Sequence, residues 1–358
     1  MEALVRAPAR WWAEGPIYLY STVCALLCIA IWAAHGVAFD PLQASTSLTL
    51  FYASGLALLM IDIVWRLWRD RPISPLAFLR DRYLTLDALG RMIAAIPMIL
   101  LSALICPIFS SLKSLIPRMN DYSWDPVFIA WDRAIFFGND AWQVLQPLIG
   151  FPIVTAFIAL SYHIWILLLF PGVIYFALYR APSREVKRRF FVSYAMAWSI
   201  IGGLMATLLA SVGPAFAGPL VGIDTFAAQM DYLREANQEY PIMVLSVQEL
   251  LLERFYLDER GLGSGITAMP SMHCAIAALY WLAMRHVSKT AGRWFFGFFV
   301  LIWIGSVHTG YHYAVDGLVS LIAITVIWWA SKRIFAWWDR LPAPFAQPAL
   351  RTNTVPAE

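Results

Sequence analysis

The sequence predicts an all-α integral membrane protein with about eight transmembrane helices. Three observations predict it. The 358 residues are 60% hydrophobic and 14% charged, against about 25% charged in an ordinary globular domain. Apolar runs of roughly 20 residues recur, each long enough to cross a hydrocarbon core. Lys and Arg are also concentrated in alternate connections between these runs. A soluble helical protein could not bury so many uninterrupted runs without lipid.

The first run, Ile17–Gly36, reads as a retained anchor. It is too long for the apolar region of a signal peptide, and no small-residue cleavage site follows it. Leu48–Leu67 is the second span, with Asp62 near its end and placed to pair with Arg66. Met92–Ile116 is the third. The connection after it carries Trp124, Val127, Phe128, Trp131 and Ile135 on one helical face, flanked by Asp125, Asp132 and Arg133. That helix either lies at the membrane interface or packs on its own protein. Phe151–Tyr179 is the fourth span; His163 inside it is expected to bond a neighbouring helix or to line a path.

Phe191–Ser211 is the fifth span. A long connection follows, with loop signals at Gly213-Pro214-Ala215-Phe216 and at Gly261-Leu262-Gly263-Ser264-Gly265, and a short helix expected over Leu245–Leu257. Met269–Met284, Trp294–Val307 and Tyr313–Ser331 complete the set. The last two are so close that the chain must turn between them, with Gly310 as the pivot. The Pro- and Ala-rich tail after Leu341 has the composition of a disordered segment. Cys24, Cys28, Cys106 and Cys274 all fall in apolar runs and read as packing residues.

Charge sets the orientation. With the N-terminus inside, all but six of the 26 Lys and Arg fall on the cytoplasmic side. The six exceptions are Lys113, Arg118, Arg133, Arg234, Arg254 and Arg260. Both termini are therefore expected in the cytoplasm. Two polar segments are expected on the opposite, extracytoplasmic face: Ala268-Met269-Pro270-Ser271-Met272-His273, and His308 through Asp316.

These segments carry the chemistry. His312 and Asp316 are four residues apart, so a carboxylate can hold one imidazole nitrogen and leave the other free to attack. Attack on phosphorus gives a phosphohistidine. His273 is the candidate acid and base for the departing and entering oxygens. Ser271 and the amides at this helix start could hold phosphate oxygens.

Pro270-Ser271-Met272-His273 resembles the Pro-Ser-x-His block of the type-2 phosphatidic acid phosphatase superfamily, and His312-x-x-x-Asp316 resembles the end of its last block. The pair His308 and His312, with His-Tyr-Ala-Val-Asp and the Gly213-Pro214-Ala215-Phe216 loop, looks closest to the inositol phosphorylceramide synthase branch. The resemblance implies that the last six spans form a bundle needing no metal and no cofactor. It makes His312 the nucleophile, Asp316 its partner and His273 the acid/base. It implies a lipid phosphotransferase that moves a phosphoryl or phosphoalcohol group between phospholipid or sphingolipid substrates. Residues 1–91 would be an N-terminal pair of spans, 92–332 the catalytic membrane domain and 333–358 a cytoplasmic tail.

The sequence departs from that pattern in two places. The superfamily's Lys six residues ahead of Arg-Pro is missing, since Arg71-Pro72 falls on the cytoplasmic side, and Gly305-Ser306 replaces the usual Ser-Arg. A phosphate oxyanion still needs donors. His308, Arg254, Arg260, Lys113 and Arg118 are the candidates. Three other readings stay open: a lipid phosphate phosphatase, a proton-coupled lipid transporter and an inactive lipid-binding scaffold. Nothing in the sequence points to nucleic acid.

Overall fold

The computed structural model describes residues 11–38, 40–179, 181–261 and 263–342. Arg6, Arg10, Arg180, Leu262, Arg351 and the tail beyond residue 342 lie outside the described residues. All regular structure among the described residues is helical.

Seven helices are long and apolar enough to cross a membrane: Gly15–Ala34 (α1), Pro41–Asp70 (α2), Leu86–Lys113 (α4), Pro152–Leu178 (α7), Arg184–Leu208 (α8), Lys289–His308 (α13) and Ala314–Trp338 (α14). Between them lie Pro75–Tyr83 (α3), Asp125–Ile135 (α5), Ala141–Ile149 (α6), Pro214–Val221 (α9), Ala227–Glu239 (α10), Met243–Tyr256 (α11) and Met272–Met284 (α12). The helix α12 is the sixth expected span, and it is shorter than expected. Its 13 residues rise only about 20 Å, and the preceding Ala268 and Met269 are spent on hydrogen bonds to Ser211, not on helix. It is buried inside the bundle, so it need not reach both surfaces.

Side-chain caps set several starts. Asp40 accepts the Leu42 amide at 2.9 Å and Thr85 the Ala88 amide at 3.2 Å. Ser183 starts α8 in the same way. That helix changes to π-type turns over Ala197–Met205. Gly202 lies within this stretch, where a Cβ would collide with Phe109 of α4 and come 3.0 Å from the Met272 sulfur. The missing side chain thus lets α4, α8 and α12 meet at one level.

The core runs along α7, α8, α12 and α14. Phe176 and Phe190 stack with centroids 4.0 Å apart, and Tyr280 packs on Phe190 while donating its hydroxyl to the Leu169 carbonyl at 2.8 Å. At one end of the bundle Arg188 donates to both oxygens of Asp339, and Arg189 to the Trp328 carbonyl at 3.0 Å, joining α8 to α14. The other end is covered by α9–α11. Gln229 of α10 donates to the carbonyls of Val307 and His308, and Gln248 of α11 to that of Thr309. These two amides satisfy the carbonyls that end α13.

Asp62 pairs with Arg66 at 3.2 Å and also accepts from the Tyr83 hydroxyl at 2.6 Å. His163 bonds the carbonyl of Ala159 on its own helix at 2.8 Å, not a neighbouring helix. The four cysteines are free thiols.

Candidate active site

The turn after α13 is wound tightly. Gly310 takes φ +76°, and the amides of Tyr311 and His312 both return to the Ser306 carbonyl. His312 is presented just ahead of α14, whose first turn holds Asp316. The two are therefore not stacked along a helix as their spacing implied. Asp316 reaches back over the helix start instead. Its Oδ2 accepts from His312 Nδ1 and from the Tyr313 amide, each at 3.1 Å. Asp316 is 0% exposed, and its Oδ1 has no hydrogen-bond partner. His312 is 6% exposed. Burial, reinforced by the charge of Lys113, pushes its imidazole below the usual range, which favours the neutral ring. The backbone of Ala268 lies beside the same ring.

His273 is the second residue of α12. Its ring is held by two aromatics of α7: Trp165 at 4.2 Å and Tyr162 at 4.5 Å between centroids. Tyr162 also stacks on Tyr311 at 5.3 Å, so one phenol touches both polar segments. The outcome is a His273–His312 centroid distance of 6.2 Å. The fold thus brings His273, His312 and Asp316 together.

Ser271 and His308 have other partners. Ser271 is buried, and its Oγ caps α12 by accepting the Cys274 amide at 3.3 Å. His308 is 1% exposed, with its Nε2 2.9 Å from the Thr155 hydroxyl, which lies 2.7 Å from the Tyr232 hydroxyl. Both hydrogen bonds lie within the protein.

Of the candidate cations, Arg118 pairs with Asp258 at 2.5 Å, and Arg254 abuts Gly261. Lys113 is different: its charge acts on both His273 and His312. The geometry explains why. Lys113 ends α4, one turn beyond Phe109, which meets Met272 across Gly202. The glycine loop then pins it from above. The Gly263 amide donates to Ser110 Oγ at 2.9 Å, Ser264 and Ser114 hydroxyls meet at 3.1 Å, and Gly265 (φ +88°) leaves room where a Cβ would lie 2.9 Å from the Lys113 carbonyl carbon.

Two residues escaped the sequence reading as site residues. On α5 the buried face is Asp125, Phe128, Ile129 and Asp132, while Val127, Trp131 and Ile135 point outward. The helix therefore packs on its own protein through its carboxylates. Asp132 accepts the amides of Ala314 and Val315 at 2.8 and 2.9 Å. Asp125 accepts the amides of Val212 and Gly213 and the Tyr313 hydroxyl, the last at 2.7 Å. Together they grip the backbone between His312 and Asp316. Burial pushes the Asp132 carboxyl up to about 6, against the two backbone amides that favour its anion. Gly213, at φ +85°, is pressed between the two segments: a Cβ would lie 2.6 Å from the Tyr311 carbonyl oxygen and 2.9 Å from Ala268 Cβ. The seven-residue spacing of Asp125 and Asp132 was the available signal, since it puts both on one face.

Among the described residues no group of three His, Cys, Asp or Glu is placed to hold a metal ion. No curated protein and no solved structure matches the chain. A sequence model of the PAP2 superfamily matches residues 127–330. That is more than half of the chain and includes both histidine segments, and the chain belongs to this superfamily of membrane phosphatases and phosphotransferases.

Proposed function

We propose that this protein is a lipid phosphotransferase working through a phosphohistidine on His312. The observation that carries the reading is the 6.2 Å separation of the His273 and His312 rings, with Asp316 on Nδ1 of the latter. A phosphoryl group placed between two such rings can be reached by both at about 3 Å.

In the first step His312 donates its Nδ1–H to Asp316, and its Nε2 lone pair attacks phosphorus. The N–P bond forms, the donor P–O bond breaks, and His273, which enters the step as imidazolium stabilised by the bound phosphate anion, gives its proton to the departing oxygen. In the second step His273 takes the proton of the acceptor hydroxyl. The new O–P bond forms, the N–P bond breaks, and both histidines return to their starting states. Lys113 serves as the cation that holds phosphate oxygens, in place of the superfamily's absent Lys and Arg.

Transfer to a lipid alcohol, as in the inositol phosphorylceramide synthase branch, is supported by the aromatic enclosure of Tyr162, Trp165 and Tyr311 around the histidines. Such an enclosure limits water at the reacting atoms. The same site with water as acceptor would be a lipid phosphate phosphatase. We place the site on the extracytoplasmic face, and regard α1 and α2 as an addition to a catalytic bundle. A proton-coupled transporter finds little support, because His163 is engaged within its own helix.

The test is turnover in detergent with chelator present, offering a phospholipid and candidate alcohols. His312→Ala should abolish turnover, His273→Ala should slow both steps and accumulate acid-labile phosphohistidine only from a donor whose leaving group needs no proton, and Lys113→Gln should lower kcat. Undiminished turnover in His312→Ala would sink the reading.

A further inference from the structure

The turn joining α12 to α13 carries a second polar cluster. It lies at the far end of both helices from His273 and His308. The 20 residues of α13 separate the two ends by about 30 Å, a full hydrocarbon thickness. A cleft of about 370 Å³ opens here, lined by Trp281, Arg285, Lys289, Gly292, Arg293 and Phe296.

Its construction is amphipathic. Trp281 and Phe296 form an apolar floor, with ring centroids 5.2 Å apart. Phe296 is 44% exposed, so the floor opens sideways. Arg285, Lys289 and Arg293 form an exposed rim. Among the described residues no carboxylate pairs with any of the three. Arg285 instead lies 5.4 Å from the Trp281 ring centre. Gly292 shapes the cleft: a Cβ there would come 2.8 Å from both Cα and Cβ of Arg285.

Three unpaired cations over an apolar floor at a membrane surface match a molecule that is anionic at one end and apolar at the other. Inorganic phosphate would satisfy the cations and leave the floor exposed. We propose that this cleft binds an anionic phospholipid, its headgroup phosphate on Arg285, Lys289 and Arg293 and its chains along Trp281 and Phe296. The site lies in the leaflet opposite the His273–His312 cluster and is separate from the substrate site. It rests on the membrane-embedded fold and not on the phosphotransferase reading.

Native mass spectrometry of the protein released from mixed phosphatidylcholine and phosphatidylglycerol bilayers reads the lipid that stays bound. Wild type should retain phosphatidylglycerol in preference to phosphatidylcholine. The Arg285→Gln, Lys289→Gln, Arg293→Gln triple variant should lose that preference by about tenfold or more. Phe296→Ala keeps every charge but removes half of the apolar floor, and should weaken retention of the lipid too. Excess inorganic phosphate should leave the lipid in place. Wild-type preference in the triple variant would overturn the proposal. Unchanged retention in Phe296→Ala would reduce the cleft to general charge attraction, and displacement by inorganic phosphate would reassign it to a simple anion. All three outcomes can be read whether or not His312 is a nucleophile.

Discussion

His312 is held at two points of its own turn, and this fixes which nitrogen can react. Its Nδ1 faces Asp316 and its backbone amide returns to Ser306. Asp316→Asn keeps the shape but offers an amide where a carboxylate oriented the ring. We expect kcat to fall by about a thousandfold or more with KM little changed, since the carboxylate does not touch substrate. An equal rise in KM would instead assign Asp316 to binding. The pair could be read in the sequence because a histidine and a carboxylate at this spacing, beside an apolar run, contribute little to packing. Tyr162 and Trp165 could not, because aromatics at helical spacing in an apolar run look like any packed core. Ser271 matched a phosphate-holding pattern, yet its hydroxyl is bonded to the Cys274 amide. A hydroxyl at a helix start serves capping as readily as it serves a ligand.

The helix α5 shows how an element can be recognised while its facing is misjudged. Its length and place were legible from five apolar residues at helical spacing. Val127, Trp131 and Ile135 of that set face outward while Phe128 is buried, because the inner face is set by what the carboxylates bind. A surface helix in water hides its apolar stripe, whereas one at a membrane can expose it and bury charge against unpaired amides. Asp132 gives this a measurable sign. Its folded carboxyl is pushed up to about 6 by burial, above the ordinary value of 3.8. Its contribution to stability is therefore fully present below about pH 4 and is lost as pH rises through about 6. Thermal unfolding in detergent across pH 4–8 should show wild type losing stability over that window relative to Asp132→Asn. Parallel curves for the two proteins would show that the carboxyl is not raised. The π-type turns of α8 were invisible in the sequence, because Gly202 and Gly203 there read as ordinary small residues.

For the whole molecule, seven of the eight runs are, among the described residues, helices long and apolar enough to cross a membrane, because length and apolarity are legible in sequence. The remaining one, the sixth in order, starts later than expected because apolarity cannot tell helix from extended chain: Met269 is apolar, but its amide goes to Ser211 Oγ and the helix begins at Met272. The basic turn at Arg285–Arg293 and the histidine segments lie at opposite ends of α12 and α13, and charge alone assigns the basic end to the cytoplasm. A reporter fused to the C-terminus should read as cytoplasmic, and a cysteine placed at Glu259 should be labelled from outside sealed cells. The reverse pattern would move the catalytic cluster to the cytoplasmic face.

The grip of Asp132 on Ala314 and Val315 joins positions 182 and 183 residues apart. During synthesis α5 leaves the ribosome long before its partner exists. At about 5–20 residues per second the delay is on the order of 10–40 s. Through that interval Asp132 waits without the amides it will bind, whereas Asp125 can already take those of Val212 and Gly213. The cluster of His273, His312 and Asp316 is therefore assembled late, when the last helix docks, so under the proposed function a growing chain could not act on the bilayer it is entering.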